Sequence, residues 1–269
     1  MSRDEEYGVA EDGRGVSRYV RVDLREADEG RMVGHAPASA HLRGRHGGMR
    51  AGALWTLLDN VGGICAGLAA LPDGWVVSTN LAARTIALAQ TGPLRIDAAV
   101  LRRGRNNVVT TVQIHDEGAA DALVADGVLT SAILVPENGP PHHRRPLVLD
   151  AGPPPSGLRT LDEWLGVRVV TRDAVEIDLA DELRNPWGIL HGGVVATLVD
   201  IVAEHVTGGV TTDVVLHFLA PNRVGPVRAT ARSLGLRSDG EVCRVEVRDE
   251  GGDRLTGIAV VVARATAPA

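Results

Sequence analysis

The stretch from Val194 to about Thr207 is apolar nearly all the way round a helical wheel. A helix with no polar face belongs in an interior. The pattern therefore predicts a buried helix there, about 21 Å long. Strand-like alternation follows it at Thr212–Leu219, Val227–Leu236, Glu241–Arg248 and Leu255–Ala263. Ahead of it the pattern predicts a short helix at Leu158–Leu165 and strands at Val167–Val170 and Ala174–Ala180. In the last of these, Val175, Ile177 and Leu179 alternate with Glu176 and Asp178, so one face is core. The first arm of the chain repeats this order. It has strands at Tyr19–Leu24 and Arg31–Ala36, a helix at Gly52–Leu71, then strands at Val76–Leu88, Leu94–Leu101, Val108–His115 and Gly127–Leu134.

The repetition reaches single residues. A register of 141 lays Gly47, Gly52, Thr56, Leu57 and Asp59 on Gly188, Gly193, Thr197, Leu198 and Asp200. A register of 133 lays Ser78-Thr79-Asn80 on Thr211-Thr212-Asp213 and Asp116-Glu117-Gly118 on Asp249-Glu250-Gly251. Three such matches in one order, with loop-sized shifts between them, read as two copies of one domain. Seven of the 14 prolines crowd into Pro136–Pro155, a stiff, donor-poor stretch unlike the inside of an element. The expected domains are 1–136 and 158–269, with a linker at 137–157. A long helix followed by an antiparallel meander packs by curling the sheet around the helix, which makes the fold class α+β. Two such domains can hide one sheet edge each by pairing. Fusion in one chain makes that pairing intramolecular.

Composition narrows the function. Of 269 residues, 28 are basic and 34 acidic, giving a formal charge of −6. Aromatic residues are 3% of the chain, too few for base-stacking platforms, so nucleic acid is not an expected partner. Cys65 and Cys243 are far apart, and no metal-ligand spacing is present. The N-terminus has no apolar signal core, and no uninterrupted apolar run of membrane length is evident, so a cytoplasmic protein without a membrane partner is expected.

The local chemistry centres on Asn185-Pro-Trp-Gly-Ile-Leu-His191-Gly192-Gly193 at the start of the second helix. Glycines there leave the first helical N–H groups uncovered, at the positive end of the helix dipole. They suit a carbonyl oxygen that is becoming an oxyanion. The same glycines would also suit a turn built only for close packing. Asp59 and Asp200 each sit within an otherwise apolar helix. Such a carboxylate is a base candidate, or else a group that meets solvent or caps a loop. The Asp of one helix approaching the glycine-lined start of the other would make a composite site at the seam.

Asn185, Gly188, His191, Gly192, Gly193, Asp200, Thr211, Asp213 and Ala220-Pro221 together resemble the pattern of the hot-dog-fold acyl-CoA thioesterases of the PaaI-like group. The resemblance covers about 160–265 well and about 30–135 more weakly. It implies a double hot-dog fold and hydrolysis of an acyl-CoA thioester to a free acid and coenzyme A. Coenzyme A is then part of the substrate, and no separate cofactor is implied. It further implies that Gly192 N–H polarises the carbonyl and that Asn185 and His191 support the pocket. An Asp of the partner domain would orient or deprotonate water or attack directly, with a nearby Ser or Thr holding the water. The expected catalytic set is Asp59, Asn185, His191, Gly192 and Ser78. Gly193 and Arg50 are candidates for holding the cofactor portion of the substrate, Arg50 through an anion. Asp200, Glu204, Thr211 and His46 stand in reserve. In the first copy Arg50 and Ala51 replace His191 and Gly192, so one complete site and one degenerate site are expected. Small residues (Gly67, Ala82, Ala83, Ala203) hint at room for an acyl group. A homodimer of tandem chains would reproduce the four-domain packing common in that group. The competing readings are a non-catalytic acyl-CoA binder or scaffold and a hot-dog hydratase or dehydratase.

Overall fold

The computed structural model describes residues 15–137, 139–140, 145–152 and 157–265. Among these residues, thirteen strands form one antiparallel sheet. They are β1 (Asp23–Asp28), β2 (Arg31–Ala36), β3 (Trp75–Thr85), β4 (Leu94–Arg103), β5 (Asn107–Asp116), β6 (Ala122–Leu134), β7 (Val148–Leu149), β8 (Arg168–Thr171), β9 (Ala174–Ile177), β10 (Val210–Phe218), β11 (Val227–Arg237), β12 (Gly240–Asp249) and β13 (Arg254–Arg264). Outward from the middle, one side runs β3, β6, β5, β4, β2, β1, β7 and the other β10, β13, β12, β11, β9, β8. Apart from β7, the two sides use counterpart strands in the same order, which is the repeat written into topology.

Two long helices lie inside the sheet, α2 (Ala51–Ala70) and α4 (Gly192–Thr207). Their apolar side chains form one core with the inward rows of the strands, among them Leu81, Ile96, Ile114, Leu129, Leu216, Val245 and Val261. The architecture is a double hot-dog fold of class α+β. The 20 residues of α2 are long and apolar enough, by length and composition alone, to cross a membrane, although Asp59 and Asn60 interrupt the run. Its length is used differently, because 17 of its residues are buried by its own sheet and by α4.

The halves meet along a strand seam and at a helix crossing, beside smaller side-chain contacts. Strands β3 and β10 pair from Asp213–Arg84 to His217–Asn80, hiding one edge of each half. Across that seam Asn80 Nδ2 donates to Leu216 O at 3.2 Å, and Arg84 meets Asp213 at 3.2 Å. The helices touch at Thr56 and Thr197, whose hydroxyl oxygens are 3.0 Å apart. Thr56 Oγ1 lies 2.8 Å from Gly193 O, and Thr197 Oγ1 lies 3.0 Å from Gly52 O. A Cβ on Gly193 would stand 2.8 Å from Thr56 Cα, and one on Gly52 would stand 2.8 Å from Thr197 Cα. Glycine at both positions is what lets the two backbones come this close.

The third match of the repeat also has a structural role. Asp116 accepts the N–H groups of Gln90, Thr91 and Gly92, and Asp249 those of Arg223, Val224 and Gly225. Burial alone would raise both carboxyls. Their backbone donors outweigh it and hold both below the usual range.

Two expectations need correction. Tyr19 does not open a strand. Val16, Tyr19 and Val20 share the buried face of a short helix, α1 (Val16–Val20), which ends at Arg21 in a left-handed conformation, and β1 starts after it. The ring of Tyr19 stacks on Trp164 of α3 (Leu161–Leu165) at 3.8 Å, joining the first helices of both halves. The expected linker lies partly outside the described residues. Within it, β7 pairs with β1, Leu147 is buried, and Arg145 meets Glu26. Its alternating Leu147, Val148 and Leu149 find an open edge at β1, so this part of the linker is packed onto the first half.

The helix crossing gives a direct test. Gly193→Ala forces a Cβ into the Thr56 backbone and is expected to destabilise by about 2–3 kcal/mol. Gly63→Ala, in the same helix system but with open space around it, is expected to be neutral or to stabilise by up to about 1 kcal/mol. Urea unfolding of both variants checks this; equal effects would remove the close-approach argument.

Candidate active site

His191 is the residue before α4 and caps it. Its Nδ1 accepts the N–H of Gly193 at 3.0 Å. That leaves Gly192 N–H as the first open donor of the helix, and no hydrogen bond uses it among the described residues. The carboxylate of Asp59, from the middle of α2, lies over this glycine. A Cβ on Gly192 would stand 2.8 Å from Asp59 Oδ2 and 2.9 Å from Oδ1. Any side chain at 192 would therefore displace the carboxylate. Ser78 Oγ of β3 donates to Asp59 Oδ1 at 2.6 Å, and His191 Nδ1 is 3.3 Å from Asp59 Oδ2. Asp59 is 4% exposed and His191 partly exposed. Burial pulls the His191 ring below the usual histidine range, against the opposing pull of Asp59. A buried carboxylate thus lies against a glycine whose N–H is unused at a helix start, with a hydroxyl fixing one of its oxygens. That arrangement can activate water and receive a developing oxyanion.

Asn185 lies in the loop that leads into α4. Its Oδ1 accepts the N–H groups of Trp187 at 3.0 Å and Ile189 at 3.4 Å, closing the Gly-Pro loop that delivers His191. Trp187 Nε1 then donates to Val76 O at 2.9 Å, tying the loop to the strand that carries Ser78.

The pseudo-symmetric position has become something else. Arg50 takes the place of His191. It donates from Nε to Asp200 Oδ2 at 2.9 Å, from Nη2 to Glu204 Oε2 at 2.6 Å, and from Nη1 to Asp162 of α3. Thr211 Oγ1 donates to Asp200 Oδ1, as Ser78 does to Asp59. Gly52 N–H, the counterpart of the Gly193 N–H that His191 accepts, donates here to Asp200 at 3.0 Å. Arg50 and Glu204 are almost wholly buried and Asp200 entirely so. The expectation that Arg50 holds a ligand anion is corrected: three carboxylates already surround it. Gly193 is likewise not open to a ligand, because its N–H goes to His191 and its missing side chain makes room for Thr56. His46 sits at this second cluster, near the backbone of Gly209 and the charges of Asp200 and Arg50, with Nε2 buried and without a partner. Two of the small residues expected to leave room are closely packed. A Cβ on Gly67 would stand 2.6 Å from the Trp75 ring, and Ala203 is fully buried. Depressions of about 550 Å³ beside Thr207 and Arg237, and about 300 Å³ beside Glu26 and Arg145, are not lined by Asp59, His191 or Gly192. Among the described residues no three His, Cys, Asp or Glu side chains gather as a metal site.

Asp162, Arg45, Asn60 and Ser17 also face these clusters, and the sequence pattern alone did not single them out. Asn60 follows Asp59 directly and its Nδ2 lies 3.4 Å from His191 Nε2 and 2.7 Å from Ser17 Oγ. Its adjacency to Asp59 in a buried helix was the available signal.

No protein-family model matches the chain. No curated protein matches it significantly either. Its likeness is to solved structures. A hot dog fold protein from Alicyclobacillus acidocaldarius has a TM-score of 0.59 and 17% identity, over 91% of this chain and 96% of that one. An acyl-ACP thioesterase from Bacteroides thetaiotaomicron has a TM-score of 0.58 and 12% identity, over 86% and 97%. The 12:0-ACP thioesterase from Umbellularia californica has a TM-score of 0.61 and 10% identity, over 88% and 94%. At these identities the likeness establishes the double hot-dog fold over nearly the whole length of both partners.

Burial first, and then the like charge of Asp200, push the Glu204 carboxyl up to about 7, against the pull of Arg50. A carboxyl raised on folding contributes stability that is full below its ordinary value near 4.5. That contribution is lost as pH rises through about 7. Glu204→Gln carries no charge in this window. The Tm of the parent is therefore expected to fall more than that of Glu204→Gln between pH 4.5 and 7, by about 3 °C or more. Parallel Tm profiles would contradict the assignment.

Proposed function

We propose that the chain hydrolyses acyl thioesters, with acyl-CoA as substrate, at one composite site per chain. The observation that carries this reading is the Asp59 carboxylate, anchored by Ser78 and packed against the side-chain-free face of Gly192 at the start of α4. The thioester carbonyl oxygen would accept the Gly192 N–H. Water held at Asp59 adds to the carbonyl carbon while its proton passes to the carboxylate, and the negative charge moves to the oxygen at Gly192. Collapse breaks the C–S bond, and the leaving thiolate takes the proton back from Asp59, releasing acid and thiol. A direct attack by Asp59 would instead form an anhydride that water then opens. His191 caps the helix and leaves the Gly192 donor free, while Asn185 shapes the loop that positions it.

The resemblance of Asn185, His191, Gly192 and Gly193 to the PaaI-like pattern supports the coenzyme A carrier. Two solved structures of the same fold are acyl-ACP thioesterases, so an acyl-ACP arm belongs in the assay. The Arg50 cluster supports a single site, since its carboxylate, Asp200, is wholly buried and already accepts from Arg50, Thr211 and Gly52 N–H.

A panel of aryl-, short- and long-chain acyl-CoAs tests the proposal, with free thiol as readout. Asp59→Ala is expected to lower kcat by about 10²–10⁴-fold while acyl-CoA binding persists. Asp200→Asn is expected to lower Tm but leave turnover per folded molecule near the parent value. Binding without turnover in the parent would make the chain an acyl-CoA binder. Parent-like turnover in Asp59→Ala would remove Asp59 from the mechanism. Single turnover in ¹⁸O-water tests the direct route: label in the Asp59 carboxylate is expected only from an anhydride that water opens at the Asp59 carbonyl.

A further inference from the structure

His191 has two ring nitrogens and three neighbours competing for them. Gly193 N–H points at Nδ1 from 3.0 Å. Asp59 Oδ2 stands 3.3 Å from the same nitrogen. The amide of Asn60 faces Nε2 at 3.4 Å. A neutral imidazole carries one proton, so only two arrangements are open. With the proton on Nδ1, the ring would donate to Asp59 and turn an N–H against the N–H of Gly193. With the proton on Nε2, Nδ1 is bare and accepts from Gly193, and Nε2 needs an acceptor.

Asn60 decides between them. It is 5% exposed and reaches both His191 and Ser17 with one end of its amide. The other end of the amide is buried and makes no hydrogen bond that fixes its orientation. The two ends of an amide are told apart by the groups they meet. With the oxygen at the shared end, it accepts from both the Nε2–H of His191 and the hydroxyl of Ser17. That choice agrees with the bond already made by Gly193, whereas the other leaves two N–H groups opposed.

We propose that Asn60 is a positioning residue whose amide oxygen accepts the Nε2 proton of His191 and so holds Nδ1 bare. The consequence rests on the hydrolase reading above. A bare Nδ1 engages Gly193 N–H, which leaves Gly192 N–H for the substrate oxygen. It also donates nothing to Asp59, whose Oδ2 keeps its lone pairs for water. The opposite tautomer would tie up the base and uncap the helix. Ser17, on α1, meets the same end of the amide, so the first helix of the chain takes part in setting a ring that belongs to the second half.

The test is a long-range ¹H–¹⁵N correlation spectrum of the whole chain, recorded where the ring is neutral, with His191 assigned by its loss in His191→Asn. The parent is expected to show Nε2 protonated. Asn60→Asp, which can only accept, is expected to keep that tautomer. Asn60→Leu, of similar size but without an acceptor, is expected to shift a substantial fraction to Nδ1–H. If Asn60→Leu does not fold, Asn60→Ser, too short to reach the ring, takes its place. A parent protonated on Nδ1, or an unchanged tautomer in the Leu or Ser variant, overturns the proposal. In acyl-CoA turnover, Asn60→Leu is expected to lose about tenfold in kcat, the worth of one hydrogen bond, with KM changed less than about twofold. A chain that turns over no thioester would sink the hydrolase reading and leave the spectrum to judge the tautomer by itself.

Discussion

The close crossing of α2 and α4 sets the geometry of everything else. Thr56 meets Gly193, and Thr197 meets Gly52, with almost no side chain between the backbones. Residues three apart on a helix share a face. Asp59 is three residues beyond Thr56, so contact at Gly193 carries its carboxylate to Gly192. Asp200 is three beyond Thr197, and the same geometry carries it to Gly52. Each helix therefore delivers an acid to the start of the other. The sheet around them, joined at β3 and β10, supplies the hydroxyls of Ser78 and Thr211 to those two acids.

From this shared frame the two ends diverge through a few residues. At one end a histidine caps the helix and leaves a donor exposed. At the other an arginine gathers Asp200, Glu204 and Asp162. A guanidinium presents donors in a fixed planar fork, which suits several carboxylates at once. Removing one partner would strand a buried charge, which is far costlier than the net worth of the pair. The second end thus acts as a bolt between α2, α4 and α3. The capping of α3 by Thr160 and Glu163 holds Asp162 in line for it.

Much of this was legible in the sequence. Helices as apolar as 51–70 and 192–207 can only be interior, and strand alternation placed most sheet elements within a few residues. The duplicated spacing of Gly52, Thr56 and Asp59 with Gly193, Thr197 and Asp200 carried the pairing of the helices, and with it Asp59, Ser78, His191 and Gly192 as neighbours. Long-range polar partnerships were not legible. Nothing local to Arg50 marks Asp162 or Glu204 as its acceptors, because they are brought to it by packing more than a hundred residues away. Asn60 and Ser17 were hidden for a related reason. An amide inside an apolar helix reads as ordinary burial until the group opposite it is known. Tyr19 misled because a five-residue helix has too few positions to show its period before β1 begins.

The bolt at Arg50 also says something about what joining two copies in one chain permits. In a symmetric pair of identical subunits, a change that seals one cleft seals its twin, so such a change would abolish the activity outright. Here the two copies answer to separate codons. One cleft has been free to harden into a fastening while the other keeps its opening. On the one-site reading proposed above, a single chain would have no second occupant to communicate with.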